Sequence, residues 1–269
     1  VSAGMALGFM LGSLLGASVF SPLLGGWRNV LFVYGGLALL VALVWTTTAD
    51  GPEGRRPAKG TVPRRPLSES LRHVAGVRNV WLLGLAMLGV GSCIQGGLGY
   101  LPLYLRGLGW AATTADSALA TFHAASLLFT IPIALLSDRL GSRRRVLMVA
   151  TVMIASGFGL LSIADGALVW VAVILAGVVR DGFMAIFMTF VIEIKEVGIT
   201  YAGTAVGLIV SISQIGSVLS PPAGNSLAVF GPGVPYLLWA GLALLGFVAF
   251  TAIREGNEST SKRQAVVSG

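Results

Sequence analysis

The chain has 269 residues, of which 55% are hydrophobic and 11% are charged, whereas an average soluble domain is about 25% charged. This composition excludes an ordinary soluble globular protein, and the 37 glycines suit closely packed membrane helices. The single cysteine, Cys93, has no Cys/His cluster around it, which argues against disulfide, zinc and redox chemistry. No metal or cofactor is therefore expected.

Apolar runs of about 20 residues, the length that crosses a bilayer core, predict an all-α membrane protein with eight transmembrane helices. The runs cover 2–24, 29–49, 79–105, 115–137, 146–164, 167–191, 200–222 and 232–253. The first run has no basic region before it and no cleavage site, so it is interpreted as a span and not as a signal peptide. We expect its upstream sequence to be missing.

The one long connection, 50–78, begins as a linker rich in Pro, Gly and Arg. Ser68 as N-cap, followed by an apolar stripe from Leu71 to Val80, predicts a short interfacial helix before the third span. A basic phosphate-binding arm is the alternative for this linker. The tail 254–269 is predicted to be disordered.

Basic residues indicate the orientation of the spans. If Val1 starts on the cytoplasmic side, fifteen of the eighteen Lys and Arg residues lie in cytoplasmic segments. Arg28 and Arg106 fall in external turns, and Arg180 falls inside a span. The positive-inside rule therefore predicts a plasma (inner) membrane protein with both chain ends cytoplasmic, and it explains the net charge of +7 without nucleic acid.

An internal repeat relates the first two spans to the last two. Residues 3–25 and 202–224 are identical at nine of 23 aligned positions, and the sequence GLALL at 36–40 recurs at 241–245. Four spans lie between the copies, which predicts a parallel repeat with a unit of six spans. On this interpretation the parent protein has twelve helices and the first four are absent. Chance similarity between glycine-rich helices is the alternative.

Two motifs resemble the major facilitator superfamily of secondary transporters, and the resemblance covers 1–253. The first motif is similar to the family's loop G-x-x-x-D-R-x-G-R-R after the eighth of twelve helices, and it departs from it at Ala134 and at Ser142. Its residues are Asp138, Arg139, Gly141, Arg143 and Arg144. By the family's symmetry, Asp138 is expected to gate the cytoplasmic side by meeting an arginine or the start of the first span. Topogenic anchoring alone is the alternative.

The second motif resembles that of the fifth helix in proton-coupled exporters, with Ser21 in place of a glycine. It comprises Gly12, Gly16, Pro22, Gly25 and Gly26, and the repeat carries Gly203, Gly207, Pro221 and Gly224 at related positions. Small residues at four-residue spacing let helices approach closely, so these residues are expected to be sites of helix packing.

The resemblance implies a parallel two-bundle fold. Residues 1–49 would be the last two helices of an incomplete N-terminal bundle, and 79–253 a six-helix C-terminal bundle. It also implies a secondary-active transporter that moves a small organic solute or anion by alternating access, with proton-coupled export or antiport. The expected partners are a small-molecule substrate, protons, the lipid bilayer and the missing N-terminal helices of the same parent chain.

Ionisable residues inside spans are costly and hence functional candidates. Neighbours on a helix do not face each other, so Arg180 is expected to meet an anionic substrate or a distant carboxylate, leaving Asp181 for proton coupling. A structural network between the two is the alternative. His123, with Ser126 three residues later, is a second candidate for proton coupling. The resemblance places Gln95 across the cavity from Arg180, and the expected apolar wall consists of Tyr100, Met184 and Phe187.

Other functions are less well supported by the sequence. An intramembrane enzyme would need a catalytic motif, and no Gly-x-Ser-x-Gly, His-Glu-x-x-His or phosphate-loop pattern occurs, so no catalytic residue is expected. A scaffold that does not transport is the other alternative.

Overall fold

A computed structural model describes residues 2–48 and 66–253, and every element within them is helical. The helices are α1 (Ser2–Leu15), α2 (Trp27–Thr48), α3 (Leu67–Ala75), α4 (Arg78–Gly107), α5 (Ala112–Leu140), α6 (Arg143–Leu161), α7 (Ala167–Val178), α8 (Arg180–Glu193), α9 (Gly198–Ser226) and α10 (Val234–Ala252). A π-helical turn (Gly16–Phe20) and a short helical turn (Ser21–Leu23) continue α1. The predicted linker up to residue 65 and the predicted tail 254–269 lie outside the described residues.

Seven helical segments of the described chain are long and apolar enough to cross a membrane. They correspond to the second to eighth predicted spans, with ends that differ by up to eight residues. The first predicted span is helical from Ser2 to Leu23, but the π-helical turn interrupts it and it is not among the seven. The count of eight spans therefore stays a prediction.

The outward faces of these helices are apolar. Phe32 and Leu39 on α2 are 78% and 73% exposed, and Leu128 on α5 is 72% exposed. Helices satisfy their own backbone hydrogen bonds, so lipid can surround such faces at no polar cost.

Glycines mark the places where helices approach most closely. α4 packs between α9 and α10, α6 packs on α7 and α10, and α5 packs on α1 and α7. A Cβ on Gly157 would collide with Ala176 of α7, and a Cβ on Gly177 would lie 2.6 Å from the carbonyl oxygen of Phe122. Only a residue without a side chain lets these backbones touch.

The turn between α5 and α6 is built from the loop motif. Gly141 has a φ of +63°, and its N–H donates to the carbonyl of Ser137, which closes the end of α5. Ser142 then caps α6, since its Oγ accepts from the N–H of Arg145. The chain reverses within two residues, so the arginines of α6 begin directly beside Asp138.

Helix α3 lies against the start of α9. The His73 ring stacks on Tyr201 with centroids 4.2 Å apart, and its Nε2 is 2.8 Å from the carbonyl oxygen of Glu196. The prediction of Ser68 as N-cap is wrong, because Pro66 holds that position and the helix starts at Leu67. The interfacial placement of α3 stays a prediction.

Candidate functional site

A buried carboxylate lies where the sixth predicted span is broken. α7 ends at Val178, Val179 has φ −95° and ψ −10°, and α8 starts at Arg180. Asp181 lies in the first turn of α8 and is 3% exposed. At this break, Ser126 of α5 accepts a hydrogen bond from the Asp181 backbone N–H.

Ser126 makes two hydrogen bonds with Asp181. Its Oγ donates to Oδ2 at 2.7 Å and accepts from the Asp181 N–H at 3.0 Å. The close approach of α5 and α7 sets this register. Gly177 lies against Phe122. Four residues further along the sequence from each of them, about one helical turn, Asp181 meets Ser126.

Arg180 pairs with Asp181, which contradicts the expectation from regular helix geometry. Its Nη1 donates to Asp181 Oδ1. Because the helix is broken at Val179 and the arginine side chain is long, Arg180 can turn back onto the carboxylate of the next residue. The Arg180 side chain is 18% exposed. The rest of its guanidinium has no hydrogen bond within the described part of the chain.

Two rings complete the site. Phe9 of α1 stacks on His123 of α5, with centroids 5.4 Å apart and planes 20° apart. The Arg180 guanidinium carbon lies 5.5 Å from the centre of the same Phe9 ring. His123 is 6% exposed, and its Nδ1 is buried with no hydrogen-bond partner among the described residues. We call Ser126, His123, Arg180 and Asp181 the Asp181 cluster.

The other predicted pathway residues divide into two groups. Met184 shares a half-buried face of α8 with Arg180, and Gln95 is exposed on α4. Phe187 is fully buried and stacks on Phe183, while Tyr100 is 7% exposed within an aromatic group around Trp239. Both aromatic residues pack inside the helix bundle.

A second charged site lies at the other end of α8. Arg143 donates from Nη1 to Asp138 at 3.0 Å and from Nε to Glu193 at 2.7 Å. Arg144 donates to the carbonyls of Phe250 and Thr251, the last turn of α10. The loop motif thus ties α5, α6, α8 and α10 together. Asp138 meets an arginine, as the gating hypothesis requires, and that hypothesis stays a prediction.

The repeat motif residues have different surroundings. A Cβ on Gly16 would lie 3.1 Å from the Tyr34 hydroxyl, and Gly224 lies directly against Trp239. Gly25 and Gly26 have φ angles of +74° and +137° and form the turn that follows Pro22 and Leu23. The remaining three, Gly12, Gly203 and Gly207, have no heavy atom of the described chain within 4 Å of a Cβ position.

The sequence prediction omits two residues that contact these sites. Phe9 lies in an apolar run and carries no signal of its own, and Glu193 follows the sixth span without a motif around it. Their roles depend on which helices meet, which the linear pattern does not show.

Comparison with protein families gives one result. The family model described as Major Facilitator Superfamily matches residues 1–202 and again residues 106–268, and the two matches together cover nearly the whole chain. No curated protein matches the chain.

Proposed function

Because the chain belongs to the Major Facilitator Superfamily, it is a multi-pass membrane transporter, and we propose that the Asp181 cluster couples a small organic anion to protons. Arg180 binds the anion and Asp181 carries the proton. The pairing of a buried acid with a partly exposed arginine in the middle of a span is the observation that carries this proposal.

The cost of the cluster supports a functional role. Charged side chains within a membrane are expensive and mark substrate or proton pathways. Arg180 and Asp181 together are neutral, so the resting site carries no net charge. The guanidinium has five N–H donors, and one of them bonds to Asp181, so donors remain for a carboxylate or sulfonate.

The charge of the cargo decides the mode of coupling. An anion at Arg180 lies next to Asp181 and favours its protonated form, so anion and proton bind together. A cation would compete with the proton for Asp181. By linkage, each ligand changes the affinity of the other by the same factor. The geometry of Arg180 therefore supports joint movement of anion and proton, while proton antiport requires a competing cargo.

A binding experiment with ligands that do not titrate separates these modes. Benzenesulfonate and tetraethylammonium are added to the purified chain in detergent under weak buffering, and the pH change is recorded. We expect proton uptake with benzenesulfonate, lost in Asp181→Asn and Arg180→Gln. Asp116→Asn is the matched control and should behave like the wild type. It breaks the Arg106–Asp116 pair, which joins the end of α4 to the start of α5.

Two other outcomes are informative. Proton release with tetraethylammonium that depends on Asp181 would favour the export or antiport that the α1 motif predicts. A pH change that is the same in Asp181→Asn and in the wild type would remove the cluster from coupling and refute the proposal.

We also propose the finer topology. The eight predicted spans would be helices five to twelve of a twelve-helix family member in the plasma membrane, with both ends of this chain cytoplasmic. The basic segments 50–78 and 138–145 support that orientation. Single cysteines placed in these segments of a Cys93→Ser background should react with an impermeant maleimide only from the cytoplasmic side.

A further inference from the structure

Phe9 fills the space beside the charged groups. Its ring stacks on His123 and lies against the Arg180 guanidinium, at centroid distances of 5.4 and 5.5 Å. A phenyl ring in contact with an imidazole and a guanidinium gains both stacking and cation–π energy. The site around Arg180 is therefore complementary to a flat aromatic ring.

The ring belongs to a different part of the chain from the groups it contacts. Phe9 is on α1, whereas His123 and Arg180 belong to α5 and α8. Phe9 is 47% exposed. It therefore lies at the surface of the helix bundle, and its ring can move away from His123 and Arg180 without opening the core. A movement of α1 relative to α5 would withdraw the ring and leave a slot of its shape.

His123 also has a polar atom without a partner in the described part of the chain. His123 Nδ1 is buried without a hydrogen-bond partner among the described residues. Ser126, which lies on the same face of α5, already donates its hydrogen bond to Asp181. A buried polar atom without a partner is costly. The imidazole therefore has an unsatisfied polar atom in addition to the face that Phe9 covers.

From these contacts we infer that the site takes a planar aromatic carboxylate, whose ring replaces that of Phe9. This inference rests on the proposed anion site at Arg180 and adds the chemical class of the anion. The ring stacks on His123, and the carboxylate pairs with the free edge of the Arg180 guanidinium. An aromatic cation would meet the Arg180 charge and be repelled. A saturated acid of the same size would keep the ion pair and lose the stacking.

Two acids and a matched pair of variants test the inference. Dissociation constants of benzoate and cyclohexanecarboxylate are measured by calorimetry on the purified full chain in detergent. Phe9→Ala removes the competing ring, and Leu7→Ala, on the same helix with 43% exposure, is the control for lost volume. We expect Phe9→Ala to tighten benzoate binding about tenfold, on the scale of one stacking and one cation–π contact. Leu7→Ala should leave it unchanged.

His123→Leu tests the other face of the slot. Leucine keeps the volume and removes the aromatic face and Nδ1, so benzoate binding should weaken about tenfold and cyclohexanecarboxylate binding should hardly change. The inference is overturned if the wild type binds benzoate no tighter than cyclohexanecarboxylate, if Phe9→Ala and Leu7→Ala act alike, or if neither acid binds.

Arg180→Gln separates failure of the inference from failure of the proposed function. If both acids bind equally and both are lost in Arg180→Gln, the anion site stands and its aromatic selectivity is refuted. If benzoate binds equally well to Arg180→Gln and to the wild type, the anion site itself is refuted.

Discussion

Asp181→Asn removes one charge from the cluster while keeping its shape. Asparagine retains an oxygen that can accept from Ser126 at the 2.7 Å position of Oδ2. The change leaves the Arg180 guanidinium without its carboxylate inside the span. The stability of this variant therefore reports the electrostatic pairing and little else.

The expected loss is about 2–4 kcal/mol. Breaking a buried pair by removing one partner costs about 3–5 kcal/mol. The 18% exposure of the Arg180 side chain lowers that value, since the exposed part of the guanidinium can still be solvated. Arg180→Gln should cost less, because Asp181 can take a proton. The double variant has no charge to leave unpaired, so its cost should fall about 2–3 kcal/mol below the sum of the single costs.

Cys93 supplies the assay. It is the single cysteine of the chain and is 0% exposed, so a maleimide dye reaches it only after unfolding. Labelling is followed against the mole fraction of sodium dodecyl sulfate for the wild type, the two single variants and the double variant. The four free energies of unfolding give the coupling energy of the pair.

The Arg106–Asp116 pair is the matched control for the double-mutant cycle. It has the same chemistry and an N–O distance of 2.7 Å, but its arginine side chain is 44% exposed. Exposed pairs couple by about 0–1 kcal/mol. If the coupling between positions 180 and 181 is no larger than the coupling between 106 and 116, the reasoning on burial of the cluster is refuted.

Three further changes test the packing and the loop. Gly177→Ala should destabilise the chain by about 1–3 kcal/mol, since its Cβ would lie 2.6 Å from a carbonyl oxygen of α5. In the same Cys93 assay Gly203→Ala should be tolerated, and equal losses would contradict the packing. Tyr104→Phe loses a buried 2.8 Å hydrogen bond to the last carbonyl of α6 and should cost about 1–2 kcal/mol in that assay. Arg143→Gln loses both carboxylate partners and should speed amide hydrogen exchange in the last turn of α8, whereas Arg145→Gln should not; similar exchange in the two variants would count against the network.

The positions of the helices are predictable from sequence because the bilayer imposes a length and forbids unpaired backbone. For the same reason a charge inside a span is conspicuous, and the sequence singles out Arg180, Asp181 and His123. The number of these ionisable residues and their approximate depth in the membrane follow from hydropathy alone. Their mutual contacts do not, because hydropathy carries no information on where a helix is broken.

The pairing of Arg180 with Asp181 shows this limit. Regular helix geometry separates neighbouring side chains by about 100°, and the prediction that they do not pair follows from that geometry. No proline lies at Val179 or next to it in the sequence, so the sequence gives no sign of this break. It arises where the glycine of α7 meets α5, which is a tertiary contact between residues more than fifty positions apart.

The two segments of the predicted repeat show that identical residues can take different structural roles. Tyr34 and Trp239 both stand two positions before the GLALL sequence, and both rings pack on a glycine of the preceding helix, Gly16 and Gly224 respectively. Gly25, which aligns with Gly224, instead has a φ of +74° and ends the first helical stretch. The indole of Trp239 donates to the carbonyl of Ser220, one residue before the prolines of α9, at 3.2 Å. The Tyr34 hydroxyl instead donates to the carbonyl of Gly12 in α1 at 3.4 Å. The shared glycine is therefore a turn residue in one segment and a packing residue in the other.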